Sequence, residues 1–323
     1  MLIADFGTGV RVSVPTAVLA TMIAGAQAGV LFKRGQAIEA LAAVDTFVFD
    51  KTGTLTEGRP VVVGVAPLNG FRQDECLRLA GSAEGHLPHP LARAIRKAAR
   101  RRGLRLSAPQ EVRYVPGGGV RARVDDREVL VGDQRFLESA GVALPSDATS
   151  DASYVAADRS VVGRIDVRDR VKSSAAEAMT RLRAAGIGRL VLATGDGAAA
   201  ARAVAASLGL DECAAEVMPE AKASLVRRLR SEGRRVAVIG DGMNDAGALV
   251  EADVGVSVPR GADLARETAD VTLLSEDLGT LVSAVELSRS AMRLVRQNIG
   301  LVALPNGVVL ALALLGRVSP LTA

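Results

Sequence analysis

The sequence predicts an α/β protein built on a parallel sheet, and three observations carry that prediction. Short apolar, β-branched runs end in polar loops at Asp50, at Thr194 and at Asp241. Alanine-rich helical stretches separate those runs, and strands alternating with helices fold as a parallel sheet whose functional groups gather beyond the carboxyl ends of the strands. After the first loop a segment of different character, residues 58–162, interrupts the alternation and predicts an inserted α+β domain.

Along the chain, Thr46-Phe47-Val48-Phe49 reads as a buried strand that delivers Asp50 into Lys51-Thr52-Gly53-Thr54-Leu55-Thr56, a loop of hydroxyls with one glycine. Such a loop presents an aspartate nucleophile to a phosphoryl group. A carboxylate is a weak nucleophile, so it needs an in-line phosphorus, a metal to neutralise charge, and oriented donors around the transferring oxygens. Within the insert, residues 74–102 read as two helices broken at 85–90, and residues 113–130 as a hairpin-rich sheet turning at Gly117-Gly118-Gly119 and Asp125-Asp126. The chain returns through residues 163–169, a strand and then the start of a helix. Helices over 173–185 and 198–208 stop at Gly186 and Gly209, as helices commonly do. Residues 189–193 form a strand running into Thr194-Gly195-Asp196, and residues 235–239 one running into Gly240-Asp241-Gly242-Met243-Asn244-Asp245. Two further strands are predicted over 253–258 and 270–274.

Composition bounds the rest. The chain has 323 residues, 49% of them hydrophobic, with two Tyr and no Trp, which suits an alanine- and valine-rich α/β protein with some lipid-facing helix. The net charge is +4, and the arginines of residues 93–105 have no aromatics between them, so they read as a solvated helix face rather than a nucleic-acid site. Cys76 and Cys213 stand apart from each other and from both histidines, and read as reduced core thiols. Residues 299–315 are 17 uncharged, mostly apolar positions between Arg296 and Arg317, predicting a membrane-spanning helix; residues 1–32, broken by Pro15 and followed by Lys33-Arg34, give a weaker membrane signal. No secretory signal is evident, since Asp5 and Arg11 interrupt the first segment.

Taken in order, D-K-T-G-T-L-T at 50–56, T-G-D at 194–196 and G-D-G-M-N-D at 240–245 resemble the signature set of P-type ATPases. The resemblance implies a haloacid-dehalogenase-like, Rossmannoid phosphorylation domain (35–57 and 163–290), an inserted nucleotide-binding domain (58–162), and flanking membrane helices (1–34 and 291–323). It implies that ATP phosphorylates Asp50 and that Mg²⁺ is shared by Asp50, Asp241 and the Thr52 carbonyl. Thr52, Thr194 and Gly195 would hold phosphate oxygens, with Lys51 and Asp196 in the same loops and Asn244 and Asp245 completing the surroundings. Lys222, in Met218-Pro219-Glu220-Ala221-Lys222, would neutralise charge, its alternative being a solvated helix residue.

Other stretches are similar to the heavy-metal-transporting branch of that family. Ser82-Ala83-Glu84-Gly85-His86-Leu87-Pro88-His89-Pro90-Leu91 resembles its nucleotide-binding signature. Glu84, His89 and Pro90, with Gly117, Gly119 and Gly132, are then the ATP-binding residues, the glycines letting backbone approach ribose and phosphates, while His86 is left at the surface. Asp169 resembles a hinge-side aspartate. Pro15-Thr16-Ala17-Val18 resembles the fourth core membrane helix, yet the preceding Phe6-Gly7-Thr8-Gly9 has no thiol, so the usual argument for a soft ion fails. Asp5 and Thr8 offer oxygen ligands or simple helix caps, and Asn306 is a polar group at mid-depth of the second apolar segment.

Thr52 separates reaction types. Related phosphatases carry a second aspartate there as general acid and base, and a hydroxyl does not do that proton work near neutral pH. The aspartyl phosphate is therefore expected to persist. No Thr-Gly-Glu, which breaks down the phosphoenzyme in P-type ATPases, occurs in the sequence. The reading is thus the catalytic core of a cation pump, expected to be a fragment, anchored in the cell membrane with its catalytic domains cytoplasmic, and partnered by ATP, a transition-metal cation, lipid and the missing actuator half. A free-standing phosphatase of the same superfamily and a non-catalytic remnant or half of a split pump remain as alternatives.

Overall fold

The computed structural model describes residues 6–85, 87–115, 118–146, 148–149, 152–241, 243–259 and 263–315. Two compact units divide the chain: residues 1–51, 173–194 and 205–323 form one, and residues 52–172 with 195–204 form the other.

The first unit is organised by a seven-stranded sheet. Its order is Val30–Phe32, Val271–Leu273, Val254–Ser257, Val236–Gly240, Thr46–Phe49, Arg189–Ala193 and Glu212–Ala214, with only the first strand antiparallel to its neighbour. Thr46–Phe49, Val236–Gly240 and Val254–Ser257 are buried at every position, as a sheet covered on both faces requires. This explains their unbroken apolar runs. Thr46–Phe49 lies between Val236–Gly240 and Arg189–Ala193, so the strands that end at Asp50, Asp241 and Thr194 are immediate neighbours.

Helix Pro219–Ser231 covers part of this sheet. Proline opens it after an extended Met218, a position where the missing N–H costs nothing, and Leu225, Val226 and Leu229 pack with Val48, Val191 and Val238. Each such aliphatic side chain contributes about 1.5–3 kcal/mol on burial. Lys222 lies on the same buried face, not on a solvated one. The predicted helices ending at Gly186 and Gly209 are present as Ala175–Ala184 and Ala198–Leu208, and both glycines adopt positive φ.

Helix Gly279–Leu314 is 36 residues long and contains Pro305. Its first part is core, with Leu281, Val282, Ala284, Val285 and Ala291 buried, and Leu301, Leu304 and Leu314 of its second part are exposed. Helix Phe6–Gln27 flanks it, and Val12, Ala17 and Ala20 share a cleft with Leu294 and Asn298. Among the described residues no helix is long and apolar enough to cross a membrane, so the spans expected at 299–315 and 1–32 are not shown. Arg11 and Pro15 lie within helix Phe6–Gln27.

The second unit holds a six-stranded antiparallel sheet ordered Val61–Pro67, Ser160–Arg168, Ser153–Ala157, Arg127–Gly132, Gly119–Val124 and Gln110–Val115. Helices Gln73–Ala83 and Pro90–Arg101 pack on one face, against Val120, Ala122, Val124, Val129, Val131 and Val155. The alternate residues Leu130, Tyr154 and Ala156 face the other way, against Leu137 and Val142. Asp125 and Asp126 both have positive φ, the two-residue hairpin turn expected from the sequence; Asp158-Arg159 makes a second such turn that no glycine or asparagine announced. Ser160–Arg168 runs as one strand of this sheet, so the inserted sheet extends past residue 162, where the sequence reading ended it. Cys76 is a core thiol as expected, whereas Cys213 is only half-buried in strand Glu212–Ala214.

Candidate active site

The nucleophile strand passes directly into its loop, with the Asp50 N–H donating to the Ile239 carbonyl at 2.9 Å. Thr52 is then extended and Gly53 has a φ of 76°, so the chain turns through a conformation that glycine adopts at little cost. The Lys222 ammonium reaches this strand end from its helix. Its Nζ donates to Asp50 Oδ1 at 2.5 Å and to Asp245 Oδ1 at 2.7 Å. The three side chains are 7%, 11% and 4% exposed in the order Lys222, Asp50, Asp245, so these are charge-assisted bonds largely shielded from water. Gly240 makes room for this, because a Cβ there would stand 2.5 Å from Asp245 Oδ2.

Oxygens of Asp50, Asp241 and Asp245 all lie within 4.8 Å of one another. Three carboxyls this close, with Lys222 bonded to two of them, crowd negative charge together, and the effect shows at Asp50. Burial, then the Asp245 and Asp241 charges, push the Asp50 carboxyl up to about 7, against the opposing pull of Lys222. For Lys222 burial works downward, but Asp50 and Asp245 outweigh it and hold the ammonium above its usual range. An all-oxygen donor set with excess negative charge fits a hard divalent cation such as Mg²⁺ and does not fit a soft one.

The remaining catalytic candidates occupy the loops around these strand ends. Thr194 is buried, its N–H donating to the Ala214 carbonyl at 2.9 Å and its carbonyl accepting from Val217 N–H at 3.1 Å. Lys51 is buried, Gly195 exposed, and Asn244 exposed in the short turn Met243–Asp245. In the second unit the Thr52 hydroxyl donates to Asp196 Oδ2 at 3.3 Å. Asp169 accepts from the Thr56 hydroxyl at 2.6 Å and from the N–H groups of Gly58 and Arg59 at 3.0 Å each, tying the chain after the loop to the returning segment. Lys172, which sequence reading missed, donates to the Gly53 carbonyl at 3.1 Å, and its own N–H to the Leu55 carbonyl at 2.9 Å. Its only sequence signal is a cation at a strand-to-helix junction.

A second cluster lies in the second unit. Glu84 ends helix Gln73–Ala83 and His89 caps helix Pro90–Arg101, with Pro90 as the first helical residue. His89 Nδ1 accepts from Ala92 N–H at 3.3 Å, which leaves the ring proton on Nε2, and Nε2 lies 3.2 Å from Glu84 Oε2. Burial, offset in part by Arg96, pushes the Glu84 carboxyl up to about 7; burial, with Arg96 and Arg93, pulls the His89 imidazole down, so it is neutral near pH 7. Glu84 Oε2 is buried and makes no hydrogen bond among the described residues. An orphaned acceptor beside a flat ring fits a ligand with an amino group on a flat base.

Gly119 and Gly132 face each other across paired strands, and each has a packing reason to be glycine. A Cβ on Gly119 would stand 2.3 Å from the Val131 carbonyl oxygen, and one on Gly132 would stand 2.5 Å from both the Gly118 carbonyl oxygen and the Phe136 ring. Gly117 and His86 lie outside the described residues.

Comparisons with known proteins identify this chain's relatives. The model of the haloacid dehalogenase-like hydrolases matches residues 44–253. A probable copper-exporting P-type ATPase V of Mycobacterium tuberculosis is 40% identical over 96% of this chain and 41% of its own length. A zinc-exporting P-type ATPase of Mycobacterium marinum is 39% identical over 100% of this chain and 46% of its own, so the chain spans less than half of these relatives. Among solved structures, a zinc-transporting PIB-type ATPase in an E2.Pi state superposes with a TM-score of 0.73 at 35% identity, over 96% of this chain and 52% of that one. The catalytic domain of the CPx-ATPase CopB-B gives 0.70 at 26% identity, over 82% of this chain and 98% of that one. The chain belongs to the haloacid dehalogenase-like hydrolases, and its homologues among them are heavy-metal-exporting P-type ATPases.

Proposed function

We propose that this chain forms the catalytic core of an ATP-driven pump for transition-metal cations, with Asp50 as the residue that ATP phosphorylates. The observation that carries this reading is the grouping of Asp50, Asp241 and Asp245 with Lys222 at the ends of adjacent parallel strands. Asp50, Asp241 and the Thr52 carbonyl would hold Mg²⁺. The bound ion supplies charge neutralisation for the phosphates and for the acid cluster.

Asp50 provides the attacking oxygen. Its bond to the γ-phosphorus forms as the bond from that phosphorus to the bridging oxygen breaks, and ADP leaves with the electron pair. Lys222, already bonded to Asp50, offers its ammonium to the negative charge gathered there. Thr52, Thr194 and Gly195 hold the non-bridging oxygens, while Lys51, Asp196, Asn244 and Asp245 fix the loops. Thr52 offers no base to activate water, so the aspartyl phosphate outlives that of a phosphatase. Glu84, His89 and Pro90 form the base-binding side of the ATP site, supported by the orphaned Glu84 oxygen, while the glycines 117, 119 and 132 let backbone approach ribose and phosphates.

In the complete pump these units face the cytoplasm beside a membrane, with the exposed apolar residues Leu301, Leu304 and Leu314 toward lipid. Copper and zinc in the names of the relatives support a transition-metal cargo. The test is to incubate the chain with Mg²⁺ and γ-³²P-ATP and quench in acid. Acid-stable label that hydroxylamine removes, absent from Asp50→Asn, is expected. Rapid p-nitrophenyl phosphate turnover with no trapped label would instead mark a phosphatase.

A further inference from the structure

We propose that Tyr114 is a specificity-determining residue of the base site, an inference that rests on the nucleotide-binding reading above. Its ring is stacked on His89, with centroids 5.3 Å apart and planes 25° from parallel. Tyr114 comes from edge strand Gln110–Val115, in which every position is exposed, and is itself 44% exposed. The other tyrosine differs in every respect: Tyr154 is buried in the core, and its hydroxyl accepts from Thr149 N–H at 2.7 Å. Tyr114 belongs to neither core cluster of the unit. Its contact with His89 is therefore its distinguishing feature.

That contact completes the fixing of the imidazole. Ala92 N–H holds Nδ1, and Tyr114 covers one ring face. Arg96 keeps the intervening loop in place by donating to the carbonyls of Glu84 and Leu87, at 3.1 Å each. With its plane set, His89 would take a flat base against its other face, the base's amino group meeting the orphaned Glu84 oxygen. A base stacked there extends a pair of rings to three. Adenine offers an amino group that satisfies Glu84, whereas guanine offers a carbonyl at the equivalent corner, and two acceptors repel. Loss of the Tyr114 ring frees the imidazole plane and blurs that distinction.

The experiment uses the full chain at pH 8, with ATP and GTP titrated calorimetrically into wild type, Tyr114→Ala and Tyr114→Phe. We expect Tyr114→Ala to weaken ATP binding about three- to tenfold, the worth of one aromatic pair, to narrow the ATP-over-GTP preference, and to leave the melting temperature in place. Tyr114→Phe keeps wild-type values. The chain has two histidines, so an ¹⁵N imidazole spectrum resolves His89: its Nε2–H tautomer pattern is expected in wild type and Tyr114→Phe, and averaged in Tyr114→Ala. Unchanged ATP affinity in Tyr114→Ala overturns the inference, as does equal weakening in Tyr114→Phe. A wild type that binds neither nucleotide overturns the base-site reading itself and this inference with it.

Discussion

Asp50 and Glu84 are both carboxyls withdrawn from water and pushed up to about 7, yet their surroundings differ in kind. Around Asp50 stand two further carboxyls and the Lys222 ammonium, all within one unit, with Lys222 bonded to Asp50 and Asp245. Around Glu84 stand a neutral imidazole and helix ends, with Arg96 spent on backbone carbonyls. The first arrangement is unstable without compensating positive charge, which is what an incoming cation brings. The second needs only a hydrogen-bond donor. Burial alone therefore does not define a site; the charge left over after burial tells which ligand the site awaits.

The largest effect expected from that contrast is at Lys222. Lys222→Met removes the ammonium bonded to Asp50 and Asp245, and breaking a buried pair typically costs about 3–5 kcal/mol. Urea unfolding in a chelating buffer should show a loss of that order, and saturating Mg²⁺ should restore part of it. Phosphoenzyme formation should slow by about two to three orders of magnitude, the usual cost of one missing electrostatic donor. A stable Lys222→Met chain with full labelling would dissolve the distinction between the two clusters.

The pH dependence sharpens it further. Glu84 has an ordinary value of 4.5 and a folded value of about 7. Between these values the unfolded chain is ionised while the folded chain keeps its proton, so stability falls as pH rises across the window and levels off on either side. The loss is about 3 kcal/mol at most. Asp50 shifts in the same direction from 3.8, so both contribute to one slope. Glu84→Gln should remove its share whether or not Mg²⁺ is present, whereas Mg²⁺ should remove the Asp50 share. Denaturation midpoints from pH 4 to 8, with and without Mg²⁺, separate them; a slope in wild type that neither change reduces would refute both assignments.

Legibility in the sequence followed the same divide. The three strand ends were readable because parallel strands buried on both faces leave unbroken apolar runs, and each run stops at the residue that matters. Lys222 was readable as a choice between two states, and the buried face of its helix decided it. Lys172 was not readable, because its bond to the Gly53 carbonyl joins residues 119 positions apart with no motif between them. Tyr114 was hidden for a similar reason: stacking on His89 depends on where an edge strand lies, not on spacing. Residues 299–314 form the last part of helix Gly279–Leu314, whose first half is protein core, and an apolar run inside a longer helix does not by itself tell lipid from core.

The smallest effect concerns Gly132, and it asks whether the second cluster's glycines serve the ligand or the fold. Gly132 does not have positive φ, so alanine meets no backbone strain there. What it meets is the Gly118 carbonyl oxygen and the Phe136 ring, both at 2.5 Å, the first of them immovable backbone. Overpacking of this kind costs about 1–3 kcal/mol. Gly132→Ala should therefore lower the unfolding free energy by that amount even without nucleotide, and Phe136→Ala in the same chain should recover only part, since the carbonyl remains. Gly141, with nothing within 4 Å of a Cβ but a φ of 76°, is the opposite case: alanine there is strained without any clash. If Gly132→Ala keeps full stability and loses only ATP affinity, the glycine is there for the ligand to approach, and the second cluster is as much a dedicated binding surface as the first.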